Sequence, residues 1–134
     1  MSLKVGKHVW TTLRSDEDVA AITEGRIIPL VASQGTNGKP YVTFEVSTGP
    51  SEYTKDGPVC DNHTVILRCV APKYEVTADL AEAVRKALEL NRAEYPSDGY
   101  RVTECELQGA DDDWTDGVGY EVVVTMTVET EYIN

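Results

Sequence analysis

Asp111, Asp112, Asp113 and Asp116, with Thr115 between them, are the residues whose types and spacing come nearest to a chemical site. Clustered carboxylates suit a hard cation such as calcium, which takes roughly six to eight oxygen ligands. The EF-hand pattern fails, because Gly117 stands seventh when counted from Asp111 and no glutamate stands twelfth. The run therefore reads as a solvated polar loop, with a calcium-binding or small-ligand module as the alternative. His8 and His63 fall on different elements, and neither has a Cys or His at ligand spacing. Cys60, Cys69 and Cys105 are odd in number, far apart and without a CxxC pair. That pattern indicates neither a disulfide framework nor a zinc site, and the thiols are expected to be small core residues in a reducing compartment. GxSxG, P-loop and GxGxxG patterns are absent, and no nucleophile, base and orienting residue can be matched. The chain is accordingly expected to be no enzyme, with no catalytic residue, cofactor or metal.

Tyr53 and Trp114 pose a different question, because each falls in a long polar stretch where a monomer has little use for a large apolar side chain. Either each folds back as a lid on the core, or each anchors a contact with a neighbouring chain, as Tyr and Trp do at binding hot spots. With their neighbours Lys55, Asp56 and Asp113 they form the candidate interface set.

These residues must be held by one domain, since 134 residues support a single core over 1–134. The first residues lack the apolar centre of a signal peptide, and no stretch approaches the ~20 apolar residues of a membrane span. A location in the cytoplasm, with no membrane partner, is expected. The 23 acidic and 12 basic side chains give a net charge of -11, which opposes a grip on nucleic acid through its phosphates. Passive DNA passage is compatible with it, since like charges repel over a screening length of ~8 Å.

The expected order of elements is α-α-β-β-β-α-β-β. Val5, Val9, Trp10 and Leu13 give a helical stripe over 3–13, and Ser15 caps a second short helix ending near Thr23. Ile27 to Leu30 is a short edge strand, limited by Pro29. Residues 41–48 alternate, with Val42, Phe44 and Val46 on one face; residues 49–62 then read as a long polar loop. The strand 63–71 is apolar on both faces. Pro72 ends it, and a helix over 74–91 carries the stripe Val76, Leu80, Ala83, Val84, Ala87 and Leu88. A weakly alternating strand, 100–107, leads to a second polar loop, 108–117. The final strand alternates clearly from Tyr120 to Tyr132. The class is α+β, with helices on one face of a mainly antiparallel sheet of four to five strands.

The run GRIIPLVASQGTNGKPYVTFEVS, then SEYTKDGP, the strand VILRCVAPKY, the helix DLAEAVRKALE and the late segment DDDWTDGVGYEVVVTMTVETEY together resemble the tail-completion proteins of long-tailed phages and prophages. The resemblance spans about Ser15 to Tyr132 and rests on the order of segments rather than on one motif. Gly25, Arg26, Pro29, Pro40, Tyr41, Asp56, Gly57, Ala81, Glu82 and Val84 match recurrent family positions, whereas Asn37-Gly38-Lys39 lengthens one turn and NRAEYPSDGY departs from the pattern. The resemblance implies a non-enzymatic subunit that caps the head-proximal end of the tail tube and joins it to the head connector. It also implies a ring of six subunits, partnered by the tail tube protein and the head-tail connector protein, and a place in the virion tail. A neck or adaptor component on the head side is the neighbouring alternative.

Overall fold

The computed structural model describes residues 4–30, 38–49, 52–54, 57–89, 91–116 and 118–133, the side chains of 52–54, 57–59 and 115 excepted. Its elements are α1 (Val5–Ser15), α2 (Glu17–Thr23), β1 (Ile27–Pro29), β2 (Tyr41–Thr48), β3 (Glu52–Thr54), β4 (Gly57–Ala71), α3 (Tyr74–Glu89), β5 (Glu94–Tyr95), a 3-10 turn at Pro96–Asp98, β6 (Tyr100–Thr115) and β7 (Gly119–Tyr132). The strands form one sheet in the order β1-β2-β4-β7-β6-β5, with β3 paired to β4. The β1–β2 pair is parallel and the rest are antiparallel.

Alternation with a period of two explains which face is covered. Val42, Cys69 and Val122 stand in register across β2, β4 and β7, as do Phe44, Leu67 and Val124, and all six are buried. They share one core with Val5, Val9 and Leu13 of α1 and with Leu80, Val84 and Leu88 of α3. Each such fully buried side chain contributes roughly 1.5–3 kcal/mol through water exclusion. Thr77 and Ala81, outside the expected stripe of α3, are buried as well, and the Thr77 hydroxyl donates to the Lys73 carbonyl oxygen at 3.0 Å.

The α+β class and the one-sided helical layer agree with the sequence, while several local expectations are corrected. Asp16, not Ser15, caps α2, its carboxylate accepting from the Val19 N–H at 3.1 Å. Trp10 lies outside the core stripe of α1, because Val5, His8, Val9, Thr12 and Leu13 fill the buried face. The sheet has seven strands among the described residues. Part of the expected loop 49–62 is the hairpin of β3 and β4, and the expected loop 108–117 is largely the end of β6, paired to β7 as far as Thr115↔Gly119. Polar composition misled because the ladder of backbone hydrogen bonds continues beyond the core, where both faces of a hairpin are wet and no apolar alternation is needed.

The weak alternation of 100–107 has a specific cause. Irregularities between Val102 and Glu104 and between Leu107 and Gly109 each insert a residue and change the phase of β6. Tyr100 and Val102 face the core before the first shift, Cys105 and Leu107 after it, and Glu104 and Glu106 stay in water.

Candidate interaction surface

Trp114 pairs across the ladder with Tyr120 at the end of the β6–β7 hairpin, and the two are 55% and 38% exposed. Tyr74, at the start of α3, meets Tyr120 edge to face at 5.8 Å between ring centroids. Its hydroxyl donates to Asp112 Oδ2 at 2.8 Å. That hydrogen bond, then the carboxylate charge, raises the Tyr74 pKa. The bond ties α3 to the hairpin, so the aromatic group is positioned by two elements.

Val118, in the turn, and Leu30, just past β1, extend the exposed apolar surface around this end of the sheet. Leu30 adopts φ 66°, a left-handed backbone, while its N–H donates to the Phe44 carbonyl oxygen at 2.8 Å. Leu30 and Val118 line one shallow depression with Tyr41, Arg68 and Glu121 on the face without helices. There Arg68 bridges Glu121 at 3.1 Å and Glu45 at 3.6 Å.

The expected acidic cluster is redistributed by the strand. Asp112 turns to the Tyr74 side and Asp111 and Asp113 to the other, as successive strand residues must. Asp113 Oδ1 accepts from the Trp114 N–H at 2.8 Å. Among the described residues, no three acidic, His or Cys side chains lie together as a metal would need.

Both histidines are packing groups. His8 is fully buried, with Nδ1 at 2.6 Å from the Tyr95 hydroxyl, and burial pushes its pKa down to about 4. His63 lies between the Thr48 and Thr130 hydroxyls, each at 2.9 Å; burial lowers its pKa against the opposing charge of Asp61. The three cysteines are buried. Burial pushes the Cys69 and Cys105 thiols up to about 12, far from the thiolate a nucleophile requires.

Of the candidate interface set, the structure places Asp113 and Trp114 in succession on β6, their side chains on opposite faces of the strand. Tyr53 lies on β3, at the other hairpin; Lys55, Asp56 and the Tyr53 side chain are outside the described residues. The two hairpins lie at opposite ends of the β4–β7 pair, since Cys60 faces Glu131 where Ala71 faces Tyr120 at the other end. Tyr74 and Val118 are exposed surface groups that no sequence pattern marks, and Tyr120, which alternation places on the buried face, is exposed as well. The sequence carries no signal for this, because the point at which α3 stops covering the sheet is set by tertiary packing.

No family model matches the chain, and no curated protein does. Solved structures do. A chain of the "Virion of native gene transfer agent (GTA) particle" superposes with a TM-score of 0.70 at 18% identity, covering 92% of this chain and 91% of that one. The fold is one that a virion uses. The bacteriophage SPP1 gp17 protein is also similar, with a TM-score of 0.55 and 19% identity over 99% of this chain and 91% of that one.

Proposed function

We propose that this chain is a non-enzymatic structural subunit of a phage or prophage tail, which completes the head-proximal end of the tail tube and joins it to the head connector. The observation that carries the reading is the fold shared almost end to end with a chain of a virion. The sequence resemblance to tail-completion proteins points the same way. The subunit acts as a closed ring, hexameric as that family implies, first in the host cytoplasm and then in the virion.

A ring of identical subunits repeats one head-to-tail contact, so each subunit needs two different adhesive surfaces. The hairpin carrying Trp114 supplies one, and the hairpin carrying Tyr53 and its neighbours is available for the tube or the connector. The acidic balance of the chain suits a passage through which DNA slides without being held.

Light scattering on the protein assembled with tail tubes tests this. Wild type is expected to add six times the mass of one chain to each capped tube. Trp114→Ala is expected to weaken assembly about thirtyfold or more, as loss of a hot-spot aromatic worth at least ~2 kcal/mol implies. Unchanged assembly in both Trp114→Ala and Tyr53→Ala would remove these two anchors.

A further inference from the structure

The large apolar side chains exposed among the described residues are Trp10, Leu30, Tyr74, Trp114, Val118 and Tyr120. All but Trp10 and Leu30 belong to the β6–β7 hairpin and the start of α3 that braces it. Trp10 stands on the outer face of α1 with Lys7 and Arg14, which fall three residues before it and four after it and so share that face. The Arg14 guanidinium lies over the Trp10 ring, 4.5 Å from its centroid.

Charge separates the two surfaces. Residues 4–15 hold Lys4, Lys7 and Arg14 and no acidic residue, against the balance of the whole chain. Lys4 and Lys7 both reach one carboxylate, that of Asp98, at 3.0 and 3.3 Å, which leaves the helix net positive. Residues 110–121 hold Asp111, Asp112, Asp113, Asp116 and Glu121 and no basic residue. One surface is a basic face with an aromatic centre, and the other is an acidic hairpin with an aromatic centre.

Within one chain these surfaces stand apart. Arg14 approaches Gly25, in the turn leading to β1, and Lys7 reaches Asp98, just before β6 begins, whereas Trp114 lies at the far end of the 16-residue β6. At roughly 3.3 Å per strand residue, that length sets Asp98 about 40 Å or more from Trp114.

Among the described residues β5 pairs with the outer edge of β6 only at Tyr100 and Arg101, which leaves that edge open at the hairpin. We infer that this edge of one copy, with Asp113 on one side of β6 and Trp114 on the other, docks along the Lys7, Trp10 and Arg14 face of α1 in a second copy. The occupant is a second copy because this chain itself carries both complementary halves, placed where neither satisfies the other internally. The contact is heterologous, so repetition generates a ring or filament rather than a simple dimer. It rests on the ring reading given above and names its two surfaces.

Charge reversal on the full-length protein decides it. Arg14→Glu alone and Asp113→Arg alone each set like charges across the contact, and each is expected to weaken self-association at least about tenfold in sedimentation experiments. An equimolar mixture of the two variants is expected to reassemble. When the variants alternate, each contact joins either the two original side chains or the two reversed ones, and the charges are opposite in both cases. Both replaced side chains are exposed, and circular dichroism confirms that each variant folds. If wild type forms rings while the single variants are unaffected, or the mixture fails to restore them, this contact is wrong and the ring stands. A wild-type chain that neither self-associates nor binds tail tubes overturns both.

Discussion

Gly119→Ala is expected to destabilise the protein by about 3 kcal/mol or more, a large share of a domain's stability. Gly119 opens β7 with φ +118°, a backbone region that side-chain-bearing residues rarely occupy. An added Cβ would stand 2.7 Å from the Ala71 carbonyl oxygen, 3.3 Å from the Ala71 carbonyl carbon and 3.4 Å from the Pro72 Cα. These are backbone atoms at the end of β4, where Ala71 faces Tyr120, so no side chain can swing aside. Relief requires β4 and β7 to separate at the point that seats Tyr120 and the hairpin. Gly109 is the internal control: nothing lies within 4 Å of its added Cβ, and Gly109→Ala is expected to stay within about 1 kcal/mol of wild type. Urea unfolding measures both, and a Gly119→Ala variant as stable as Gly109→Ala would contradict the steric account.

The second large effect is a loss of stability on mild acidification. The buried His8 ring has a pKa of about 4, below the 6.5 of an unfolded chain. Between those values the unfolded chain binds a proton that the folded chain excludes, so stability falls as pH falls and the loss saturates below about pH 4. At 1.36 kcal/mol per unit, about 2 kcal/mol is lost by pH 5 and about 3 kcal/mol in all. Above pH 7 His8 contributes no pH dependence. His63 is shifted in the same direction and adds to the slope. Measuring stability between pH 7 and 5 separates the histidines from most carboxylates, which titrate lower. His8→Gln is expected to flatten this part of the profile while lowering stability at pH 7; an equally steep profile in the variant would remove His8 as the cause.

Periodicity exposed the scaffold because packing against helices imposes it. The faces of β2 and β7 and the stripe of α3 all touch one core, so a period of two or 3.6 is written into their residues. Beyond the helices that constraint vanishes. Asp111, Asp112 and Asp113 are strand residues whose partners are Val123, Val122 and Glu121, yet nothing in their polarity distinguishes them from a loop. The phase changes in β6 were hidden for a related reason: a bulge is a backbone event with no obligatory residue type.

The candidate surface was legible only in part. Trp114 drew notice because it interrupts a polar run, and Tyr53 for the same reason. Trp10 did not, since its spacing with Val9 and Leu13 also fits a buried stripe; only the packing of His8 and Thr12 toward the core shows that the ring faces out. Tyr120 obeys the alternation of β7 and is nonetheless exposed, because α3 begins at Tyr74 and covers the strand only from Val122 onward. Which face a pattern marks is local information, whereas where the cover ends is tertiary.

Negative-stain microscopy of the pure protein mixed with tail tubes shows whether this chain closes the head-proximal end of a tube as a ring. A ring-shaped density is expected at one end of each tube, absent without the protein and lost in the Trp114→Ala variant. Tubes with bare ends, beside protein bound only to head connectors, would contradict it and move the chain to the head side of the junction.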